Sequence, residues 1–273
     1  MLRIEDPDDP RLDDYRHLTD AEARRAIEAG GAPHGIFVVE GPLALDQLRS
    51  SDHRVRSVLV TPARAASLGT RLDGMGPVLV AERDVLAAVT GFDVHRGVLA
   101  AAERPEPAAP ATALAGHRRV LVMEGVSDNE NVGALFRSAA ALGLQAVLLD
   151  GACTDPLYRR SIRVSSGWTL RLPFARAATT TELLELLAAA GIRSVALTPS
   201  DGAVDVDRAA AAGLLDDPVA LVVGAEGPGL SPATIAACDA AVRVPMAPGV
   251  DSLNVATSLA VVGAFAGARR GWT

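Results

Sequence analysis

The last forty residues contain the feature that most restricts the fold: a short apolar run, a loop rich in proline and glycine, and a long run of helix formers. The apolar run covers 241–244, Gly249 ends the proline-containing stretch, and Ser252 opens the helix-forming run. Proline cannot donate a backbone hydrogen bond, and serine is favoured at helix starts. The pattern therefore predicts a strand, a tight loop and a helix. Asp251, Ser252 and Asn254 lie among apolar neighbours there, so we expect their side chains to converge on a shared partner.

Composition sets broad limits on the rest of the chain. The 273 residues suit one large or two modest domains, and 49% hydrophobic residues with 3% aromatics predict an aliphatic core. All 26 basic residues are arginine, and the net charge of −7 is shared by two acidic halves. A nucleic-acid substrate would therefore have to be met by a local basic patch and not by the field of the whole protein.

Three features bear on the cellular compartment. Cys153 and Cys238 lack CxxC spacing, which favours two reduced and mostly buried thiols. The first ten residues are acidic and lack the apolar segment of a signal peptide. No stretch approaches the roughly 18 consecutive apolar residues of a transmembrane helix. These features predict a soluble, cytoplasmic protein, and we expect neither a membrane nor a metal as a partner.

The first hundred residues alternate between predicted helices and strands. Helix formers occupy 11–29 and stop at Gly30, and a second helix is predicted to end near Arg49. The predicted strands are 35–41, 56–61, 77–81 and 94–101. This alternation is typical of a small α/β domain, which we assign to 1–102. The stretch 103–117 is rich in proline and alanine without periodicity, so it is predicted to be a linker.

A buried strand at 119–124 is predicted to continue into a polar loop and an amphipathic helix that begins near Asn131. Arg137 lies six residues later, which does not place the two side chains on one helix face. A common role for them would need the loop to fold back. Taken alone, the pattern fits a helix start with a surface arginine.

Basic and aromatic residues interleave at one place in the chain. The residues are Tyr158, Arg159, Arg160, Arg163 and Trp168. Such a mixture can contact phosphates and stack bases. A solvated helix face with a buried tryptophan explains the pattern equally well. The elements predicted around it are strands at 145–150, 170–174 and 192–198 and a helix at 180–190.

A second glycine-rich segment comes after the apolar strand predicted from 218. Gly224, Glu226, Gly227 and Gly229 form the pattern G-x-E-G-x-G, and glycine lets a backbone pass close to a ligand. The dinucleotide-binding pattern is G-x-G-x-x-G and lies early in the sheet, so it does not apply. Glu226 is either a site carboxylate or an acceptor that holds the loop, and its glycine neighbours favour the site.

Three of these segments together resemble the signature motifs of the SpoU/TrmH family of RNA ribose methyltransferases. Asn131, Gly133 and Arg137 match the first motif, the 224–229 loop the second, and Ser252-Leu253-Asn254 the core of the third. The resemblance implies an α/β fold: a SPOUT methyltransferase domain at 118–273 with a mostly parallel sheet and a deep trefoil knot. The resemblance also implies that a small α/β domain precedes it and binds the RNA substrate. That domain also resembles the family, through Val-Glu-Gly at 39–41 and His-x-Gly at 95–97.

The resemblance also implies a site. S-adenosylmethionine would be held by backbone groups of the knotted loops, and the carried-over contacts are Gly224, Val244 and Leu253, with Met246 and Gly229 beside them. The implied catalytic residues are Arg137, Asn131, Glu226, Ser252 and Asn254. Arginine has a pKa above about 12, so it suits stabilising an alkoxide and gripping a phosphate better than acting as a base.

Other functions fit the sequence less well. An oxidoreductase would need glycines in the first βα turn that 126–133 lacks, and a non-catalytic RNA binder would be expected to have lost Arg137, Glu226 or Asn254. Methyl transfer to a base stays open, although Asn-x-Gly-x-x-x-Arg favours ribose. The resemblance further implies a homodimer acting on rRNA more than tRNA. We expect His95 to pack at its strand start and not to contact RNA.

Overall fold

The computed structural model describes residues 1–19 and 33–268, and the chain divides into two compact units. The first unit combines Met1–Glu106 with Leu157–Arg171, and the second combines Pro107–Pro156 with the chain from Leu172 onward. The segment Leu157–Arg171 therefore belongs with the first unit although the sequence on both sides of it belongs with the second. Each unit is built on its own sheet.

The elements of the described residues are numbered in chain order. The strands are β1 Leu2–Ile4, β2 Ile36–Glu40, β3 Val55–Val60, β4 Val78–Ala81, β5 Val98–Glu103, β6 Arg119–Glu124, β7 Ala146–Leu149, β8 Phe174–Arg176, β9 Arg193–Leu197, β10 Val204–Asp205, β11 Val219–Gly224 and β12 Ala240–Arg243. The α-helices are α1 Pro42–Arg49, α2 Pro62–Leu68, α3 Arg83–Thr90, α4 Pro110–Leu114, α5 Asn129–Ala141, α6 Arg159–Val164, α7 Thr180–Ala189, α8 Val206–Ala211, α9 Pro232–Ala237 and α10 Val255–Ala268. Short 3-10 helices cover Pro10–Tyr15, Gly69–Leu72 and Trp168–Leu170.

The first unit contains a five-stranded mixed sheet in the order β1-β4-β3-β5-β2. Strands β1, β4 and β3 are parallel, whereas β5 runs antiparallel to both β3 and β2. Tyr15 is fully buried, and its hydroxyl lies 2.8 Å from the Ser57 carbonyl oxygen and accepts from the Ala101 N–H at 3.3 Å. These bonds fasten the first 3-10 helix to the sheet.

The second unit contains a seven-stranded sheet in the order β10-β12-β9-β11-β6-β7-β8, with every pair parallel. Its central strands are continuous apolar runs because helices cover both faces. Leu121 and Met123 of β6 belong to the core under α5, α8 and α10. Val120 and Val122 belong to the core under α4 and α7. The result is a three-layer α/β architecture.

The contact between α5 and α10 sets the position of the chain after the last strand. A Cβ atom at Gly263 would lie 2.5 Å from Cδ1 of Leu142, the residue after α5. Glycine therefore lets the two helices approach closely on one face of the sheet. This packing places the start of α10, and the loop that precedes it, close to the start of α5.

Most of the predicted strands and helices are confirmed, with differences at particular places. The strand predicted at 170–174 is wrong, because Trp168–Leu170 is a 3-10 helix and β8 begins at Phe174. The predicted linker contains α4, whose Leu114 is buried. His95 does not pack at a strand start, since β5 begins at Val98 and the His95 side chain is 86% exposed. Of the helix predicted over 11–29, residues 20–29 lie outside the described residues.

Within the described ranges, no helix combines the length and the apolar character needed to cross a membrane. Both cysteines are free thiols; Cys153 is buried and Cys238 is half-buried. Burial raises the pKa of the Cys153 thiol to about 12 and that of Cys238 to about 11. The prediction of reduced, mostly buried thiols is confirmed.

Candidate functional site

A cleft of about 620 Å³ lies in the second unit, at the carboxyl ends of three neighbouring strands. Its walls come from the loops after β9, β11 and β12, together with the first turns of α10. Open parallel sheets bind ligands in such a crevice at the carboxyl edge. The fold therefore brings together three loops that are far apart in sequence.

The loop after β11 folds back tightly on the strand it leaves. A Cβ atom at Gly224 would lie 2.2 Å from the Gly229 carbonyl carbon and 2.3 Å from the Leu230 nitrogen. The Gly229 N–H donates to the Ala225 oxygen at 3.0 Å, and Gly229 has a φ of 70°. Glycine is thus required at 224 by close approach and favoured at 229 by backbone conformation.

The far side of this loop is held by Glu124, the last residue of β6. Its carboxylate accepts from the Ser231 N–H at 3.0 Å, the Ser231 hydroxyl at 2.9 Å and the Thr234 hydroxyl at 2.7 Å. Because Glu124 lies opposite Gly224 in the sheet, these bonds anchor the loop where it enters α9. The loop is therefore fixed at both ends.

The loop before α10 ends on Asn254, which caps that helix. The Asn254 Oδ1 accepts from the Ala256 N–H at 2.9 Å and from the Thr257 N–H at 3.4 Å. The helix begins at Val255, three residues after the predicted start at Ser252. Capping by the asparagine satisfies two donors of the first turn and leaves its side-chain amide group for another partner.

Asn131 joins this loop to the loop after β11. The Asn254 Nδ2 donates to the Asn131 Oδ1 at 2.9 Å, and the Asn131 Nδ2 donates to the Glu226 Oε2 at 2.9 Å. Asn131 is buried in the first turn of α5, where Asp128 caps the helix by accepting from the Asn131 N–H at 2.9 Å. One chain of side-chain hydrogen bonds therefore connects a residue from each of the three sequence motifs.

Arg137 occupies a different position from the other predicted catalytic residues. It is exposed in the same continuous helix as Asn131, about 240° further around the helix axis, and it does not line the cleft. The predicted helix start near Asn131 is two residues late, and no loop folds back between the two residues. They occupy different faces of one helix.

The other predicted residues assemble at the cleft. The five predicted cofactor contacts, Gly224, Gly229, Val244, Met246 and Leu253, all line it. Three predicted catalytic residues also line it, namely Glu226, Ser252 and Asn254. Asn131 does not line the cleft but is bonded to two residues that do. Their roles as ligand and catalytic groups stay predictions.

Sequence reasoning missed the contribution of the β9 loop. Thr198 and Ser200 line the cleft, and their hydroxyl oxygens lie 2.8 Å apart. The available signal was a Thr-Pro-Ser stretch directly after an apolar strand, since polar residues at the carboxyl end of a parallel strand are candidate site residues. No family motif drew attention to it.

Two charged side chains occur among the described residues that line the cleft, Glu226 and Arg243. Arg243 Nε donates to the Asp205 carboxylate at 2.6 Å, and this bond raises the pKa of the Arg243 guanidinium. Asp201 lies 3.5 Å from another nitrogen of the same group. Arg243 is thus neutralised by neighbours, whereas Glu226 is exposed to the cleft with its amide donor from Asn131.

The second unit matches a known protein family, and the whole chain has known relatives. The model of the SpoU rRNA Methylase family matches residues 118–264. An uncharacterised tRNA/rRNA methyltransferase of Mycobacterium tuberculosis is 45% identical over 258 residues, which are 94% of this chain and 88% of that protein. A tRNA/rRNA methyltransferase of Mycobacterium ulcerans, also uncharacterised, is 33% identical over 243 residues, 86% of this chain and 71% of that protein.

Solved structures show the same architecture. An RNA 2′-O ribose methyltransferase is 27% identical, with a TM-score of 0.77 over 98% of this chain and 99% of that chain. An rRNA methyltransferase from Sinorhizobium meliloti, solved with AdoMet bound, is 24% identical, with a TM-score of 0.78 over 99% of this chain and 98% of that chain. The predicted fold class is confirmed, and the trefoil knot within it stays a prediction.

Proposed function

The chain belongs to the SpoU rRNA methylase family, and from that premise we propose that it transfers a methyl group from S-adenosylmethionine to a ribose 2′-hydroxyl of RNA. The observation that carries the proposal is the Asn254–Asn131–Glu226 chain of hydrogen bonds beside the cleft. It unites polar groups whose sequence separations are 95 and 123 residues. Asn131 is buried and bonds to one exposed side chain on each side, so it fixes the orientation of the two polar groups that line the cleft.

The cleft suits S-adenosylmethionine in size and in chemistry. Its volume falls within the range of about 300–1,000 Å³ that is usual for small-molecule sites. Leu197, Ile235 and Val262 give it apolar walls for a flat ring, and the glycine- and proline-rich loops offer backbone donors and acceptors. The proposed contacts are Gly224, Gly229, Val244, Met246 and Leu253. When bound, this group supplies a methyl already activated by the sulfonium charge.

The acceptor hydroxyl presents the chemical difficulty, because it is a poor nucleophile until its proton leaves. Glu226 offers an exposed carboxylate in the cleft, and the bond from Asn131 fixes its direction. Ser252 and Asn254 line the same wall and can orient the ribose and its phosphate. We assign Arg137 to stabilising the developing alkoxide and gripping that phosphate, since a guanidinium does not release its proton at neutral pH.

The position of Arg137 bears on the proposed homodimer. Its side chain is exposed and does not line the cleft of its own chain. Its role at the hydroxyl therefore needs an RNA that extends from the cleft to α5, or a second copy that presents Arg137 to the cleft. A homodimer with its sites near the subunit interface, as the family resemblance implies, provides the second arrangement.

We favour ribosomal RNA over transfer RNA as the substrate, in the cytoplasm. The first unit is a separate α/β body, which suits a substrate large enough to be held away from the reacting nucleotide. The family whose model matches 118–264 is described as one of rRNA methylases. The relatives are named tRNA/rRNA methyltransferases, so the experiment includes both transfer RNA and ribosomal RNA.

The test is methyl transfer from radiolabelled S-adenosylmethionine to RNA from a strain that lacks this protein. Transfer RNA, free ribosomal RNA and assembled ribosomal subunits are supplied separately, and the labelled nucleotide is mapped by nuclease digestion. We expect label as a 2′-O-methyl nucleotide in ribosomal RNA. Label on a base would overturn the ribose assignment. Label in transfer RNA would overturn the substrate assignment. The absence of label in all three RNAs would overturn the proposal of an RNA substrate.

A further inference from the structure

A buried carboxylate in the first unit holds two arginines of the segment Leu157–Arg171. Glu40, the last residue of β2, is 5% exposed. Arg159 Nη1 donates to its Oε2, and Arg163 Nη1 lies 3.8 Å from its Oε1. Arg159 and Arg163 are four residues apart in α6, so both side chains leave the same face of that helix. The Glu40 carboxylate therefore fixes the Arg159 guanidinium by a hydrogen bond and attracts that of Arg163 as an ion pair.

The segment that carries these arginines is packed tightly against α1. A Cβ atom at Gly167 would lie 2.8 Å from the Gln47 Cβ and 2.9 Å from the Ala44 Cα, so only glycine permits this approach. Gly167 directly precedes Trp168, and its φ of 87° sets the turn into the 3-10 helix Trp168–Leu170. This backbone packing fixes the position of the chain at Trp168.

Two aromatic residues close to the arginine pair in sequence are partly open to solvent. Tyr158 is 39% exposed and Trp168 is 37% exposed, although large aromatic side chains are on average mostly buried. The Arg159 guanidinium lies 4.6 Å from the centre of the Phe92 ring, a cation–π contact that further fixes its plane. Fixed guanidinium planes and exposed rings form a surface that can bind phosphates and stack bases together.

The charge at this surface has the sign that RNA requires. Arg96 covers Gly41, the residue after Glu40, because a Cβ there would lie 2.8 Å from the Arg96 Cδ. Arg159 and Arg163 pair with the buried Glu40 carboxylate, and Arg96 packs against the neighbouring Gly41. The whole chain carries a net charge of −7, so an RNA substrate must be met by a local patch of this kind.

We propose that Glu40 is a positioning residue for an RNA-binding surface formed by Tyr158, Arg159, Arg163 and Trp168, and that this surface binds a single-stranded segment of the substrate. The inference rests on the RNA substrate of the proposed function. Each guanidinium has five N–H donors, so the bond to Glu40 leaves donors for phosphate. Holding two long side chains in advance removes part of the entropy cost of binding.

A competing explanation makes the opposite prediction for one substitution. If Glu40 only neutralised the arginines, Glu40→Gln would remove a negative charge and strengthen RNA binding. If Glu40 positions them, the same substitution releases two guanidinium groups and weakens binding despite the gain in positive charge. The sign of the change in affinity therefore separates the two explanations.

The experiment measures fluorescence anisotropy of labelled oligouridylate, alone and annealed to oligoadenylate, with the full-length protein. For Glu40→Gln we expect weaker binding of the single strand. The slope of log K against the logarithm of salt concentration should become less steep by roughly 0.7 for each phosphate contact that is lost. Trp168→Ala should weaken it about 5-fold or more, because a stacked base is lost. Arg83→Ala, which removes an exposed arginine at the start of α3, is the matched control and should leave binding unchanged.

Folding is checked by S-adenosylmethionine affinity, which should match the wild type in Trp168→Ala and in Arg163→Ala, and by the melting temperature, which should match it in Arg163→Ala. Trp168→Ala removes a ring that is more than half buried, so it should melt at a lower temperature but still cooperatively. Arg163 is exposed, so its substitution tests the surface even where Glu40→Gln unfolds. Tighter binding by Glu40→Gln, unchanged binding by Trp168→Ala and Arg163→Ala, or a preference for the duplex would each overturn the proposal. Failure of methyl transfer with intact binding at this surface would instead count against the proposed function.

Discussion

Substitution of Gly224 by alanine tests how the cleft is built. The new Cβ would lie 2.2 Å from the Gly229 carbonyl carbon, and ordinary carbon–carbon contacts begin at about 3.5 Å. The obstructing atoms are backbone, so no side chain can rotate away. The 225–229 loop must therefore move by about 1 Å, which would displace the wall that we assign to S-adenosylmethionine.

The cost of this substitution can be worked out from the contacts it breaks. Overpacking costs about 1–3 kcal/mol, and loss of the 3.0 Å bond from Gly229 N–H to Ala225 adds about 0.5–1.5 kcal/mol. We expect a destabilisation of roughly 2–4 kcal/mol, and a melting temperature lower by about 4–16 °C. Calorimetric titration should also show S-adenosylmethionine affinity reduced by at least about tenfold, the equivalent of 1.4 kcal/mol.

Gly202 provides the matched control. It lies in the loop between β9 and β10, and a Cβ built there meets no atom within 4 Å. Gly202→Ala should therefore change the free energy of unfolding by no more than about 0.5 kcal/mol. A Gly224→Ala protein that melts with the wild type and binds S-adenosylmethionine equally well would refute the close-approach argument.

Three further predictions concern single residues. Arg137→Ala should abolish methyl transfer while S-adenosylmethionine affinity stays nearly intact, and near-full activity in a filter-binding assay would show that the assignment is wrong. Asn131→Ala should lower the free energy of unfolding by about 1–3 kcal/mol in urea titrations, because it removes two side-chain hydrogen bonds, and an unchanged midpoint would contradict that network. Burial raises the pKa of the Cys153 thiol to about 12. At pH 8 this thiol should therefore react with thiol reagents roughly a thousandfold more slowly than a free cysteine, whose pKa is about 8.5. Rapid labelling of Cys153 in the native protein would contradict this prediction. The pKa of this thiol is higher in the folded than in the unfolded protein. The stability that the protonated thiol contributes is therefore intact below about pH 8.5 and is lost as the pH rises toward 12. In Cys153→Ser the melting temperature should fall less over this pH range than in the wild type.

The sequence was most informative for the central strands. β6 and β11 are unbroken apolar runs because both their faces are covered, and such runs bounded by polar loops are readable without a structure. The error at 170–174 has a physical reason. Leu170 is buried inside a turn and not in a sheet, and a short apolar run cannot distinguish these environments. β1 and β10 have three and two residues, which is too short to carry a pattern.

The candidate site was only partly predictable for a different reason. The residue types and the order of the three motifs lie in the sequence, so Asn131, Glu226 and Asn254 could be selected from it. Their mutual hydrogen bonds depend on which strands are neighbours, and local patterns do not contain that information. The ion pair of Glu40 with Arg159 spans 119 residues and could not be predicted for the same reason.

Asn131 and Arg137 lie on different faces of α5, and this restricts how the two residues can act at one site. Asn131 is held by Glu226 and Asn254 on the buried side, and the contact of α10 at Gly263 holds the end of the same helix. The helix therefore cannot rotate to bring Arg137 to the wall that Asn131 faces, because rotation would break both bonds. Arg137 and the cleft of one chain can act on one ribose only if the RNA spans from the cleft to the outer face of α5, or if two chains share a site. A rigid α5 is thus the feature that links the proposed chemistry of Arg137 to the proposed homodimer.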